Sequence, residues 1–211
     1  MHANLLWLYN NRMDDSLTKE NLEEIMRLKG EVRGMAVRNH ADFILKEKGE
    51  KGLKELEQKM EELGYPIDQG KIQQWEFYPI GLEIVELLAI KNLFEFGEEK
   101  FKEIGSFDAK VSFILRVFFK YFGSPSRLSI QAQNIWKKYY TIGEVKAREL
   151  NEKEGHAILT VEKFKLHPIH CLHLQGYFSG VLKMAVGKNI TSKETKCPFR
   201  GDEYHEFSFT W

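Results

Sequence analysis

Cysteine is the scarcest reactive residue in this chain: Cys171 and Cys197 are the only two among 211 residues. Two thiols do not make a disulfide framework in a chain of this size. A reducing compartment, and with it a cytoplasmic location, is the simplest setting. Net charge is also missing. Lys+Arg and Asp+Glu both number 31, which leaves no global field to gather nucleic acid. No apolar run approaches the roughly 18 residues of a membrane span. The stretch Leu5–Tyr9 has neither a basic flank nor a small-residue cleavage site, so it does not read as a signal peptide. The motifs GxSxG, HExxH and CxxC are absent. Gly49–Gly52 is not followed by the Lys-Ser/Thr pair of a phosphate loop.

What is present is an apolar fraction of 43%, enough for a sizeable core. No repeat or low-complexity linker divides the chain. It reads as one domain over 29–211, preceded by a helical extension over 1–28. Periodicity predicts helices over Asp14–Leu28 with Ser16 as N-cap, Met35–Lys48, and Glu50–Leu63 stopped by Gly64. A loop from Tyr65 leads to Pro79 and a helix over Ile80–Phe96, with Glu83 and Glu86 as its polar edge. A short helix from Glu98 closes at Gly105. Ser106 then caps a helix over Phe107–Phe122 that is apolar nearly all round, and such a helix is buried. Ile130–Tyr140 fits helix or extended chain.

After Gly143 the pattern changes. Gly143–Leu150 and His156–Phe164 read as a hairpin around Asn151–Gly155. His170–Val186 is helical, with Gly187 as C-cap. Lys188–Cys197 and Glu203–Trp211 form a second strand pair. The expected fold class is therefore α+β: a helical N-terminal half, then an antiparallel four-stranded sheet in β-β-α-β-β order.

The main chemical constellation is His167-Pro-Ile-His170-Cys171-Leu-His173, followed by Cys197 and His205. Thiolate and imidazole are the usual ligands of zinc. The spacings are not those of a zinc finger. The competing reading packs Cys171 in the core as a small hydrophobe and leaves the histidines at a helix start. The aromatic helix is the second candidate. Phe113, Val117, Phe118, Tyr121 and Phe122 are the residues with which it would line an apolar pocket. Gly176-x-x-x-Gly180, in a later helix, would allow another element to approach closely.

The segment Cys171-Leu-His-Leu-Gln-Gly176-Tyr-Phe-Ser-Gly180, followed by Glu194-Thr-Lys-Cys197-Pro-Phe-Arg-Gly201-Asp202 and Glu206-Phe-Ser-Phe, resembles the vinyl-4-reductase-type domain. In place of that family's last cysteine stands His205. The resemblance implies a metal or ligand site at Cys171, Cys197 and His205; the cofactor is left open, with zinc the metal that these ligand types suit. Upstream, Lys29-Gly30-Glu-Val-Arg-Gly34, Gly64-Tyr-Pro-Ile-Asp68, Phe96-Gly97 to Gly105 and Ser124-Pro-Ser-Arg127 are similar to haem nitric-oxide/oxygen-binding (H-NOX) domains. That superfamily also includes the TRAPP vesicle-tethering subunits.

H-NOX haem is held by a mid-chain histidine, and no histidine lies between His40 and His156 here. Haem held by histidine is therefore not expected, although Tyr121 sits on a helix of the right kind. The tyrosine–serine–arginine clamp of H-NOX domains is not evident either.

The leading expectation is a sensor-like module that is not an enzyme. It would bind an apolar or amphipathic small molecule between the aromatic helix and the sheet. One alternative is an enzyme acting on a vinyl or tetrapyrrole substrate, with metal at Cys171, Cys197 and His205. No redox-cofactor motif accompanies that reading. The other is a homodimeric scaffold or adaptor.

Overall fold

A computed structural model describes residues 14–211, so Leu5–Tyr9 lies outside the described residues. The first helix among the described residues is α1 (Lys19–Met26). Its N-cap is Thr18, whose hydroxyl accepts from the Asn21 amide, rather than Ser16. Leu22 and Ile25 bury its inner face. Strand β1 (Glu31–Arg33) pairs antiparallel with β2 (Phe77–Pro79). Three-residue strands are too short for periodicity to find, and neither was expected.

Between them runs α2 (Gly34–Glu62), kinked at Gly49 where φ is 71°. The two expected helices are its two arms. Helix α3 (Ile80–Phe94) starts directly after Pro79.

The next helices depart from the sequence pattern. Gly105 does not stop a helix. It lies inside α4 (Glu98–Val111), and the break comes at Ser112, which caps α5 (Phe113–Phe122) by accepting from the Leu115 amide at 3.0 Å. Gly105 serves packing instead. A Cβ there would run into the carbonyl oxygen of His173, and one at Gly176 would run into that of Lys102. The two glycines let α4 and α7 (Pro168–Val186) approach backbone to backbone. The close approach expected of Gly176-x-x-x-Gly180 is made to α4.

Helix α5 is consequently not buried all round. Phe107–Val111 belongs to α4. Within α5 Leu115 is fully covered, while Phe113 and Tyr121 are 55% and 63% exposed. Helix α6 (Pro125–Trp136) starts earlier than expected, because Ser124 caps it and Pro125 fills its first position.

The four-stranded sheet contains β3 (Glu144–Asn151), β4 (His156–Glu162), β5 (Thr191–Lys196) and β6 (His205–Thr210). Its spatial order is β3-β4-β6-β5 and every pairing is antiparallel. Along the chain α7 separates β4 from β5. A single turn of 3-10 helix (Pro198–Arg200) links β5 to β6. Alternation along β6 buries His205, Phe207 and Phe209 on one face, where the Phe207 ring meets Phe178 of α7 at 5.7 Å. Most buried apolar residues from Leu22 to Phe209 form one main core, and Ala109, Leu115 and Val181 make a small separate cluster. Among the described residues no helix is long and apolar enough to cross a membrane.

Candidate functional site

Two hollows and one side-chain cluster are candidates. The larger hollow is a solvent-open groove of about 710 Å³ between α5 and α6. Ile114, Val117, Phe118, Ile130 and Ile135 supply its apolar surface, with Arg127, Gln131, Asn134 and Lys138 around them. The smaller is an inner void of about 60 Å³. Leu115, Trp136, Val145, Leu159 and Phe178 are among its walls, so it sits between the helices and the sheet. Ile135 borders both.

Of the five residues expected to line a pocket, Val117 and Phe118 face the groove. Phe113 and Tyr121 line neither hollow, and Phe113 meets the exposed Trp75 ring at 6.1 Å. The side chain of Phe122 lies outside the described ones.

The cluster forms where α7 passes the end of the sheet. His167 caps α7, its Nδ1 accepting from the Ile169 amide at 3.2 Å, and Pro168 takes the first helical position. The residues that adjoin in sequence then separate in space. Cys171 faces β5 and β6, whereas His170 and His173 turn towards the helices. Cys171 Sγ lies 3.7 Å from Cys197 Sγ and 3.8 Å from His205 Nδ1, and both cysteines are free thiols. Glu194 completes the set, with Oε1 2.9 Å from His205 Nδ1. Cys171, Cys197 and His205 are buried, and their ligand atoms and that of Glu194 all lie within 4.8 Å of one another.

The surrounding backbone holds this arrangement. The register of β5 against β6 shifts between Glu194 and Lys196, a bulge of the kind that re-aims side chains. The Cys197 amide donates to Asp202 Oδ2 at 2.7 Å, and its carbonyl accepts from Arg200 N at 2.8 Å. Gly201, with φ 98°, closes that turn in a conformation few side chains tolerate. Arg200 also donates to Glu194 Oε2 at 3.1 Å.

His205 Nε2 donates to the Phe164 carbonyl at 2.9 Å, which leaves Nδ1 facing the thiols and the carboxylate. A positive species is needed among them. Without a metal it is a proton. Burial opposes charge on His205, but Cys197 and Glu194 outweigh it and raise the imidazole to about 9. The Cys171 hydrogen bond and then His205 draw the Cys197 thiol down to about 4 against its burial. Cys171, donating to Cys197, is pushed up.

The same geometry suits zinc. Thiolates about 2.3 Å from a tetrahedral zinc stand about 3.8 Å apart, close to the 3.7 Å between Cys171 and Cys197. Glu194 was not among the residues expected at this cluster, although it stands three residues before Cys197 in the motif already singled out.

No family model and no curated protein sequence matches the chain. Solved structures do. An H-NOX protein from S. oneidensis in the Fe(II)NO ligation state aligns with a TM-score of 0.65 at 12% identity, covering 84% of this chain and 97% of that one. A triply substituted H-NOX protein from the same organism, in the Fe(II) ligation state, reaches 0.67 at 11% identity, with 84% and 95% covered. A doubly substituted Tt H-NOX reaches 0.61 at 12%, with 85% and 94% covered. The chain therefore has an H-NOX-like fold.

Proposed function

We propose that this domain binds an apolar or amphipathic small molecule in the groove between α5 and α6, and that zinc at Cys171, Glu194, Cys197 and His205 clamps α7 to the sheet. The observation that carries the ligand reading is the groove, at about 710 Å³ with five apolar side chains. Ligand pockets run from about 300 to 1,000 Å³. Arg127 and Lys138 suit an anionic head, such as the carboxylate of a fatty acid. Helix α5 is the natural moving wall, because Leu115 is its one fully covered side chain among the described ones, and thinly anchored elements open at low cost. Displacing Ile135 would join the groove to the void against the sheet.

Four protein ligands make a closed zinc site, the structural rather than the catalytic kind. Zinc would supply a tetrahedral cross-link there and no open position for substrate. This favours a binding module over an enzyme. The resemblance of the Cys171–Asp202 segment to vinyl-4-reductase-type domains supports the same reading, as does the H-NOX-like fold.

Haem does not fit either of these two hollows. Among the described residues, neither hollow has a histidine, cysteine or methionine in its wall. Tyr177 borders the void, but burial pushes its phenol well up, away from the phenolate that would bind iron.

Native mass spectrometry of protein purified from its own host tests the proposal. One copurifying apolar molecule per chain is expected, displaceable by a fatty acid and lost in a Val117→Trp variant. A protein that is empty and takes up no fatty acid contradicts it. A second reading rests on the exposed Phe113, Tyr121 and Ile130, which would suit a homodimer face. Light scattering decides it: a monomer at high concentration removes that reading.

A further inference from the structure

The helical core holds a second cluster that the groove and the cysteines do not involve. His40 of α2, Glu83 and Glu86 of α3, Asp108 of α4, and His170 and His173 of α7 converge there, none more than 4% exposed. The pairs on α3 and α7 are three residues apart, which puts each pair on one helix face.

His40 Nδ1 lies 2.9 Å from Glu86 Oε2, and Glu86 Oε1 accepts from Gln69 Nε2 at 2.8 Å. A carboxylate on the outer nitrogen fixes the tautomer and turns the Nε2 lone pair inward, as in metal-bound histidines. There His40 Nε2 stands 3.3 Å from His173 Nε2 and 3.3 Å from Asp108 Oδ2. His173 Nε2 stands 2.7 Å from the same oxygen. Donors each about 2.1 Å from one ion are spaced by about 3.0–3.4 Å, which the two imidazoles match, whereas the 2.7 Å from His173 to Asp108 is a hydrogen bond that would hold the His173 ring. Glu83 is also in reach, since one ligand atom from each of His40, Glu83 and His173 lie within 4.8 Å of one another.

The orphaned atoms are an independent observation. Glu83 Oε2, Asp108 Oδ1, His173 Nδ1 and both His170 ring nitrogens are buried without a hydrogen-bond partner. His170 Nε2 comes within 3.1 Å of Glu83 Oε2 but is not aligned to bond it. Native interiors rarely leave such groups unpaired, and a missing ion is a recognised cause; of these atoms Glu83 Oε2 is the one the ion would take up. Tyr140 Oη donates to Glu83 Oε1 at 2.9 Å, so Oε2 has His170 Nε2 as a near neighbour but no aligned hydrogen bond. A hollow of about 20 Å³ borders Asp108 and His173, enough for one water as a further ligand.

We propose that His40, Glu83 and His173 bind a divalent first-row transition ion inside the helical core, with Glu86, Asp108 and Tyr140 as positioning residues. The all-nitrogen-and-oxygen donor set suits imidazole- and carboxylate-binding ions such as iron(II), manganese(II) or zinc, in contrast to the thiolate cluster. The proposal stands whether or not the groove holds a ligand.

Cobalt(II) separates the two sites, because thiolate ligands add a charge-transfer absorption that nitrogen and oxygen donors do not. Chelator-stripped wild-type protein is expected to bind two cobalt ions per chain. The C171A/C197A variant should keep one, without the sulfur band. In that background Glu86→Gln should weaken the remaining ion by about 10–100-fold, and Glu83→Gln by more. Circular dichroism checks that each variant is folded. A C171A/C197A protein that binds no cobalt, or binds it with an affinity that neither Gln variant changes, overturns the proposal. If C171A/C197A does not fold, anomalous scattering from cobalt-soaked wild-type crystals decides. A peak among His40, Glu83 and His173 supports the site, and its absence overturns it.

Discussion

Helix α7 carries residues of two ionisable clusters on different faces, and they were built in opposite ways. Cys171, Glu194, Cys197 and His205 come from one stretch of 35 residues at the end of the chain. His40, Glu83, Glu86, Asp108, His170 and His173 are gathered from four helices spread over most of it. The first cluster packs thiols and a carboxylate around one imidazole. The second packs three imidazoles among three carboxylates with no sulfur. A site made within one supersecondary unit leaves a motif in the sequence, whereas a site made by helix packing leaves single residues that look unremarkable alone.

The largest effect expected is at the cysteine–histidine cluster. Replacing Cys197 with Ala, or stripping zinc with a chelator, should cost several kcal/mol and lower the melting temperature by ten degrees or more, since structural zinc sites contribute about 10–16 kcal/mol of binding energy. If Cys197→Ala melts with the wild type in zinc-containing buffer, the clamp does not exist. The next test addresses the scaffold that both clusters share. Gly176→Ala forces a Cβ into the Lys102 carbonyl and should destabilise by about 1–3 kcal/mol or more. A neutral result by urea unfolding would mean that α4 and α7 are not in backbone contact.

Tyr140→Phe sharpens the helical cluster. It removes the hydroxyl that donates to Glu83 Oε1. Burial alone would raise that carboxyl, but His170, His173 and His40 hold it at about 2. A hydrogen bond to a charged group contributes about 1.5–3 kcal/mol. A loss below the error of the melt would show that Glu83 does not depend on that bond.

The smallest effect is a pH dependence of the metal-free protein. His205 is raised from 6.5 to about 9, so its contribution is complete below about 6.5 and disappears as pH rises through about 9. Cys197, lowered from 9.0 to about 4, has the opposite linkage over the same interval and offsets this in the overall stability, so the ring is read directly: His205 of chelator-treated protein should remain protonated by NMR at pH 7.5, and a neutral ring there would remove the imidazolium from the account.

The same contrast explains what was legible beforehand. The α+β class, the four sheet strands and the C-terminal helix followed from periodicity and glycine punctuation. Cys171, Cys197 and His205 were visible because their residue types are rare and fall in one window. Glu194 was hidden because a glutamate on a strand is ordinarily a solvated residue. Glu83 and Glu86 read as the polar edge of α3 for the same reason, yet both are fully buried. Their partners His40 and His170 are long-range neighbours that no local pattern announces. Gly105 read as a stop because glycine commonly ends helices, but here its missing side chain admits the backbone of α7. Phe107–Phe122 read as one buried helix because composition does not register the break at Ser112.

X-ray absorption at the zinc edge of protein purified without added metal tests the central claim most directly. The account predicts a zinc shell that contains sulfur near 2.3 Å together with nitrogen and oxygen near 2.0–2.1 Å, the sulfur supplied by Cys171 and Cys197. A protein that retains no zinc, or a zinc shell without sulfur, would contradict it.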